Sequence, residues 1–246
     1  MNKTILLGTT ALVALFASSA SAAPGRPTLT AQVHRQKHIY VLPHRNSTVL
    51  YDQSAGSNGI GIVSQNFEPT FSIYDANGAD DFPALGNAKI KEVVANGTYF
   101  NGSGPADSFD VILYKKINWQ KRKAKIQATC TGQSYTDLNG SGYPDIKLKH
   151  CQGKTGDFDR GGWVAVIANL AFQPGGEWGW NTNNTVNGNP SLWRCPNPDC
   201  NSAGVERYRS PIERVHPGCW DEYYGITTEC IPIGEGGDFA FALLGH

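Results

Sequence analysis

The sequence has no long segment in which apolar residues recur at the 3.6-residue spacing of an amphipathic helix. Short β-prone runs are separated instead by turn dipeptides that tolerate positive φ angles. These dipeptides are Asn58-Gly59, Asn77-Gly78, Asn96-Gly97, Asn101-Gly102, Asn139-Gly140 and Asn187-Gly188. The candidate strands are 38–42, 47–52, 61–67, 70–75, 89–100, 110–116, 125–130, 145–150, 162–172 and 238–245. The pattern excludes a helical domain and predicts an all-β fold, an antiparallel, jelly-roll-like β-sandwich.

The chain also lacks an excess of either charge, because 21 Lys and Arg residues balance 21 Asp and Glu residues. Dedicated nucleic-acid binders usually carry a strong basic excess, so we expect no nucleic-acid partner. One basic run, 115–125, holds a good part of the positive charge. It is interpreted as a solvated hairpin, with contact to acidic glycans or a cell surface left open.

The N-terminal end of the chain has a mostly apolar run, and no later run is long enough to span a bilayer. Lys3 precedes the apolar run 5–17, and Ala20-Ser21-Ala22 has the small-residue pattern of a cleavage site. The run is shorter than the roughly 20 residues that a membrane span needs. Residues 1–22 are therefore predicted to be a signal peptide cleaved after Ala22, which leaves a secreted or periplasmic protein with no transmembrane segment.

Two regions flank or interrupt the predicted strands. Residues 23–37 have no apolar pattern and are expected to form a flexible lead-in. Residues 181–237 are rich in Asn, Pro and Gly and are interpreted as a long loop excursion held by disulfides. With no internal repeat or linker, residues 38–246 are predicted to form a single β-sandwich domain.

Six cysteines form an even set in a chain that is expected to be exported, which predicts three disulfides. Sequence alone cannot choose the pairing, but neighbouring cysteines bracket loops rich in Gly, Pro or Asn. This favours Cys130–Cys151, Cys195–Cys200 and Cys219–Cys230. A zinc site on Cys195, Cys200, His216 and Cys219 is the alternative, which oxidation of the cysteines would prevent.

The usual catalytic signatures are missing: the chain has no H-E-x-x-H, no G-x-S-x-G and no P-loop. Carboxylates for glycoside hydrolysis are available at Asp80, Asp81 and Glu177. Their sequence positions do not establish whether they meet in space.

Several motifs occur in an order that resembles a family of exported bacterial proteins. They are "VLYDQ" (49–53), "GIVSQNFE" (61–68), "YDANGADDF" (74–82), "GTYFNGSGPADS" (97–108), "GWVAVIANLAFQPGGEWGWN" (162–181) and "DFAFALLG" (238–245). The resemblance covers residues 48–245 and implies a jelly-roll-like β-sandwich, similar to accessory modules of secreted enzymes and adhesins. It implies no catalytic residues. The segments 115–130 and 193–219 depart from the pattern.

Trp178 and Trp180 are separated by one glycine, so in a strand both indoles would lie on one face. They are candidates for a sugar-stacking platform, with Glu177 and Asn181 supplying hydrogen bonds. Packing in the core is the alternative. We expect a mixed arrangement, in which one indole packs against Trp163 and Trp180 is partly exposed.

Two acidic loops are candidate calcium sites. Adjacent Asp80 and Asp81 offer carboxylates, although in a strand they face opposite sides. In 137–148, Asp137, Asn139, Ser141 and Asp145 occupy positions of a calcium loop, but Leu148 replaces the usual glutamate. The alternatives are capping of turns by Asp side chains and a hairpin turn.

Together these patterns predict a secreted, non-catalytic β-sandwich module that binds a cell-surface component or glycan and needs no cofactor, calcium being an open option. A carboxylate-dependent glycan hydrolase and a purely structural envelope protein are the alternatives.

Overall fold

The computed structural model describes residues 30–32, 47–55, 57–118, 123–183, 185–189, 191–194, 213–214 and 238–246. The predicted signal peptide 1–22, the candidate strand 38–42 and the cysteines at 195, 200, 219 and 230 lie outside the described residues.

The described chain consists mainly of strands, which confirms the predicted all-β class. The strands are β1 (Thr30–Gln32), β2 (Thr48–Asp52), β3 (Ser57–Val63), β4 (Gln65–Asn66), β5 (Asn77–Phe82), β6 (Ile90–Ala95), β7 (Gly97–Phe100), β8 (Ser108–Asn118), β9 (Lys123–Gln133), β10 (Tyr135–Asp137), β11 (Pro144–Lys147), β12 (Gln152–Gly153), β13 (Gly162–Asn169), β14 (Glu177–Asn183), β15 (Leu192–Arg194), β16 (Glu213–Arg214), β17 (Asp238–Phe239) and β18 (Phe241–Gly245). A 3-10 helix spans Pro69–Tyr74, and a short helical turn, α1, spans Phe172–Gly175.

One layer of the sandwich is an eight-stranded sheet in the order β12-β9-β8-β13-β5-β15-β16, with β4 beside β13. The side chains along its strands point alternately to its two faces. On β8, the side chains of Phe109, Val111 and Leu113 are fully buried in the main core, whereas Ser108 and Asp110 on the opposite face are partly exposed. This is the period-2 pattern that a half-buried strand requires.

The opposing layer combines two five-stranded sheets. One has the order β1-β3-β14-β17, with β7 on β14, and the other has the order β10-β11-β6-β18-β2. Backbone hydrogen bonds link them: the Asn96 amide donates to the Ala240 carbonyl, and the Ala240 amide donates to the Asn181 carbonyl, both over 2.9 Å. The main core lies between this layer and the eight-stranded sheet.

The structure corrects several local predictions, among them a turn at Asn58-Gly59, which lies within β3. The predicted strand 70–75 falls in the 3-10 helix Pro69–Tyr74, because Pro69 begins a helical turn there. Asn77-Gly78 begins β5 instead of forming a turn. Thr30–Gln32, predicted to be part of a flexible lead-in, pairs with β3 through residues 60–62.

The predicted disulfide Cys130–Cys151 is present and links residues separated by 21 positions. The other two predicted pairs lie outside the described residues. Within the described ranges, none of the helical segments has the length and apolar character needed to cross a membrane.

Candidate functional site

Both tryptophans of the predicted platform are core residues. Trp178 and Trp180 have no exposed surface, and the Trp178 and Trp180 rings lie 6.5 Å apart. The Trp178 indole N–H donates to the Gly142 carbonyl over 2.9 Å, and that of Trp180 donates to the Ala240 carbonyl over 3.0 Å. The expectation of a partly exposed Trp180 is therefore wrong, and these rings cannot form a surface platform.

The indoles are buried because their strand lies in the middle of its sheet, between β3 and β7. A glycine on β7 makes room for one of them: a Cβ at Gly97 would lie 2.4 Å from the Trp178 ring. The expected contact with Trp163 is wrong as well, because Trp163 belongs to a separate apolar cluster on the outer face of the eight-stranded sheet. Asn181, proposed as a ligand residue, is buried and donates to Asn96 Oδ1 over 2.8 Å.

The acids of the hydrolase alternative do not meet. Asp80 Oδ2 accepts a hydrogen bond from the Phe239 amide, and Phe239 pairs with Thr182 of β14. Asp80 therefore lies near the Thr182 end of β14, whereas Glu177 begins that strand. With a rise of about 3.3 Å per residue, Glu177 and Asp80 are roughly 15 Å apart. Glycosidase carboxylates lie about 5–9.5 Å apart. Glu177 is buried and accepts from Asn101 Nδ2 over 2.5 Å instead.

Asp80 and Asp81 belong to a group that we call the acid–amide cluster. Its members come from separate parts of the chain and are Gln53, Asp80, Asp81, Asn187, Asn189 and Asp238. Gln53 Nε2 donates to Asp80 Oδ2 and to the Phe239 carbonyl, each over 2.8 Å. Gln53, Asp80 and Asp238 lie in three of the motifs that carry the family resemblance, so those motifs converge here.

On its exposed side, the acid–amide cluster contacts the loop 185–189. Asp81 Oδ2 accepts from the Asn189 backbone amide over 3.1 Å and from Asn189 Nδ2 over 2.6 Å. Asp238 Oδ2 accepts from the Asn187 backbone amide over 2.5 Å. Residues 185–189 are exposed, so two buried or half-buried acids hold a surface loop against the sandwich.

Burial raises the pKa of the Asp80 carboxyl well above its ordinary value, and the nearby charge of Asp238 raises it further. Burial also raises the pKa of Asp238 to about 7. The pKa of the Tyr51 hydroxyl is raised by its burial and by the charge of Asp80. No lysine or arginine of the described part lowers the pKa of Asp80 or Asp238. Asp238 Oδ1 is buried and has no hydrogen-bond partner among the described residues.

The first acids of the two predicted calcium sites, Asp80 and Asp137, have their carboxylate oxygens engaged by the chain itself. Asp80 accepts through both carboxylate oxygens. The Asp137 carboxylate accepts from the backbone amides of Asn139, Gly140, Gly142 and Tyr143 over 2.9–3.3 Å. This is the hydrogen bonding of an Asp that closes a turn.

Asn139 Oδ1 accepts from the Ser141 amide over 2.9 Å, while Asp145 lies buried in β11. Among the residues that the structure describes, no three His, Cys, Asp or Glu side chains are grouped as metal ligands would be. Calcium binding stays a prediction, and the loop 137–143 joins β10 to β11 as the alternative hairpin interpretation proposed.

A second polar group was missed by the sequence analysis. The outer polar cluster consists of Asn66, Ser108, Asp110 and Asn169, all partly exposed on the outer face of the eight-stranded sheet. Asn169 Nδ2 donates to Asp110 Oδ1 over 2.9 Å and to Ser108 Oγ over 3.0 Å. Asn66 Nδ2 donates to Asn169 Oδ1 over 2.9 Å. The alternation of polar and apolar residues at the start of β8, from Ser108 to Val111, was the available signal.

Rigid strands hold the outer polar cluster in place. Asn66 is on β4, Asn169 on β13, and Ser108 and Asp110 on β8, and the register pairs Asn169 with both Ser108 and Asn66. Asp110 Oδ1 also accepts from the Gly132 amide over 2.7 Å. Amide and carboxylate groups therefore share one partly exposed surface. Among the described residues, no Lys or Arg forms a salt bridge with Asp110.

Comparisons with known proteins identify no family for this chain: no family model matches it, and no curated protein or solved structure matches it. The resemblance to exported bacterial β-sandwich proteins stays a prediction.

Proposed function

We propose that the protein is an exported, non-catalytic β-sandwich module that binds a neutral, polyhydroxylated ligand such as a glycan through the outer polar cluster. The observation that carries the proposal is the placement of two amides, a carboxylate and a hydroxyl on one partly exposed sheet face. Export is supported by the disulfide Cys130–Cys151, since such bonds persist mainly in oxidising compartments.

The chemistry of the outer polar cluster suits sugar hydroxyls. A hydroxyl both donates and accepts, an Asn side chain offers an acceptor and two donors, and a carboxylate has about four acceptor positions. Asp110 and Asn169 use only part of this capacity on each other. A ligand hydroxyl can therefore add hydrogen bonds to side chains whose positions are already fixed, which lowers the entropy cost of binding.

A non-catalytic role is favoured because the candidate acids do not form an accessible pair. Of the three candidate acids, Asp80 and Glu177 are fully buried and only Asp81 is partly exposed. General acid and base groups must come within hydrogen-bond reach of a substrate. Nothing specific favours the hydrolase or the purely structural alternative over binding.

A glycan array probed with the mature protein tests the proposal. We expect binding to neutral glycans that is weakened at least several-fold by Asp110→Asn and by Asn169→Ala. Asp157→Asn is the matched control, because Asp157 is an exposed aspartate on another part of the surface whose contact is a salt bridge to Lys154. Absence of binding to any glycan, or binding that both cluster variants leave unchanged, would contradict the proposal.

A further inference from the structure

The Asn-Gly pairs of this chain are chemically reactive positions whose fate depends on the fold. In such a pair the backbone nitrogen of glycine can attack the side-chain amide carbon of asparagine, closing a cyclic imide and releasing ammonia. Water then opens the imide to aspartate or isoaspartate. The net change consumes one water, releases one ammonia and adds one carboxyl group, without any oxidant or reductant. The reaction needs a glycine nitrogen that is free to approach.

Three of the six pairs have their glycine within a strand, where the sheet restricts the movement of the backbone. Asn58-Gly59 lies within β3. The Gly78 amide, in β5, donates to Ser64 Oγ over 2.9 Å. Gly97 lies in β7 and pairs with Trp180.

Two further pairs are partly or fully exposed, but hydrogen bonds or close packing hold them in place. The Gly140 amide donates to Asp137 Oδ1 over 3.0 Å, so the nitrogen that would attack Asn139 is engaged. The Asn101 side chain donates to Glu177 over 2.5 Å, and Gly102 is packed so closely that a Cβ there would lie 2.5 Å from the Gly175 carbonyl.

Asn187-Gly188 is different. Both residues are exposed, and Gly188 adopts a φ of 101° that glycine accommodates readily. Within the described residues, the Gly188 amide donates no hydrogen bond. The Asn187 side chain has one long contact, from Nδ2 to Gln53 Oε1 over 3.5 Å.

We infer that Asn187 is the position at which the folded protein deamidates, and that the reaction adds a carboxyl group to the acid–amide cluster. The groups around Asn187 determine how the new carboxyl group affects the loop. The Asn187 amide binds Asp238 Oδ2, and Gly188 lies against Asp81, where a Cβ would be 2.7 Å from Oδ1. Gln53 Oε1 already accepts from the Tyr51 hydroxyl. A new carboxylate beside these oxygens repels them and loosens the loop 185–189.

Mass spectrometry of the aged protein tests the inference. The mature protein is incubated in mildly alkaline buffer, sampled over time and digested at acid pH, and each Asn-Gly peptide is followed for the mass change of amide to acid. We expect the peptide with Asn187 to convert several-fold faster than those with Asn101 and Asn139 in the native protein. In urea, where the fold is lost, we expect the exposed and buried pairs to convert at similar rates.

Two variants complete the design. Asn187→Gln, which disfavours the five-membered ring, should remove the new acidic species from an isoelectric gel, and Asn187→Asp should reproduce its position and unfold at lower urea than the parent. Conversion at Asn187 no faster than at Asn139 in the native protein would overturn the inference. So would an Asn187→Asp variant as stable as the parent. No readout uses a ligand, so the outcome is independent of the proposed function.

Discussion

The ring of Phe239 lies parallel to the indole of Trp180, with centroids 4.4 Å apart and planes inclined by 10°. Trp180 is at the centre of β14, and Phe239 belongs to the two-residue strand β17 near the end of the chain. The indole N–H of Trp180 also donates to the carbonyl of Ala240, the residue after Phe239. Trp180 therefore binds the returning C-terminal segment to the core.

This arrangement predicts a large loss of stability for Trp180→Ala. Emptying a buried aromatic site costs about 3–5 kcal/mol, and here the Ala240 carbonyl loses its donor as well. A urea melt followed by circular dichroism measures the free energy of unfolding. Val186→Ala is the control, because Val186 is 39% exposed and should change stability by less than about 0.5 kcal/mol. A Trp180→Ala variant as stable as the parent would contradict the buried position.

The acid–amide cluster predicts that stability falls as the pH rises. The pKa of Asp238 in the folded protein is about 7, above its ordinary value of 3.8. Between these values the folded state holds a proton that the unfolded chain has released. The stabilisation is thus fully present below about pH 4 and is lost as the pH rises through about 7, and the raised pKa of Asp80 acts with the same sign.

Urea midpoints measured between about pH 4 and 8 check this dependence. Asp238→Asn keeps an acceptor for the Asn187 amide but cannot ionise, so its stability should fall less steeply with pH than that of the parent. Asp157→Asn is the control, since Asp157 is exposed and pairs with Lys154 outside the cluster. Parallel curves for the parent and Asp238→Asn would show that Asp238 does not titrate as described.

Sequence patterning was sufficient for the fold class and for the disulfide Cys130–Cys151. The alternation of polar and apolar residues at the start of β8 is kept in the structure, because one face of this strand lies in the main core. The exposure of Trp180 was not predictable in the same way. The burial of Trp180 depends on β3, β7 and β17, which are distant from it in sequence. The Asn-rich segment after Trp180 indicated a loop, but Asn181 and Asn183 are buried strand residues.

The acid–amide cluster shows a similar limit. Asp80 and Asp81 were recognised as adjacent acids on opposite faces, and the structure places Asp80 inside and Asp81 at the partly exposed edge. Their partners Gln53 and Asp238 lie 27 and 158 positions away from Asp80, so only the folded chain brings them together. Local propensity carries no information about such contacts.

The loop 137–143 predicts an effect of Asp137→Ala that does not depend on calcium. The variant leaves several backbone amides of the turn without their acceptor, which should cost about 1–3 kcal/mol. Thermal melts with calcium and with a chelator should show the same loss in both buffers. A calcium-dependent rise of the parent's melting temperature that Asp137→Ala abolishes would instead establish the calcium site.

The disulfide Cys130–Cys151 predicts a moderate loss of stability on its removal. Cys130 is fully buried on β9, and the bond closes a loop of 21 residues that contains the β10–β11 hairpin. Restricting an unfolded chain over a loop of this length is worth about 3 kcal/mol. The double variant Cys130→Ala with Cys151→Ala should therefore unfold at lower urea than the parent. Adding reductant should destabilise the parent more than the double variant, because the variant has already lost this bond. An equal effect of reductant on both proteins would mean that Cys130–Cys151 contributes little, and that any disulfides among the remaining cysteines carry the sensitivity.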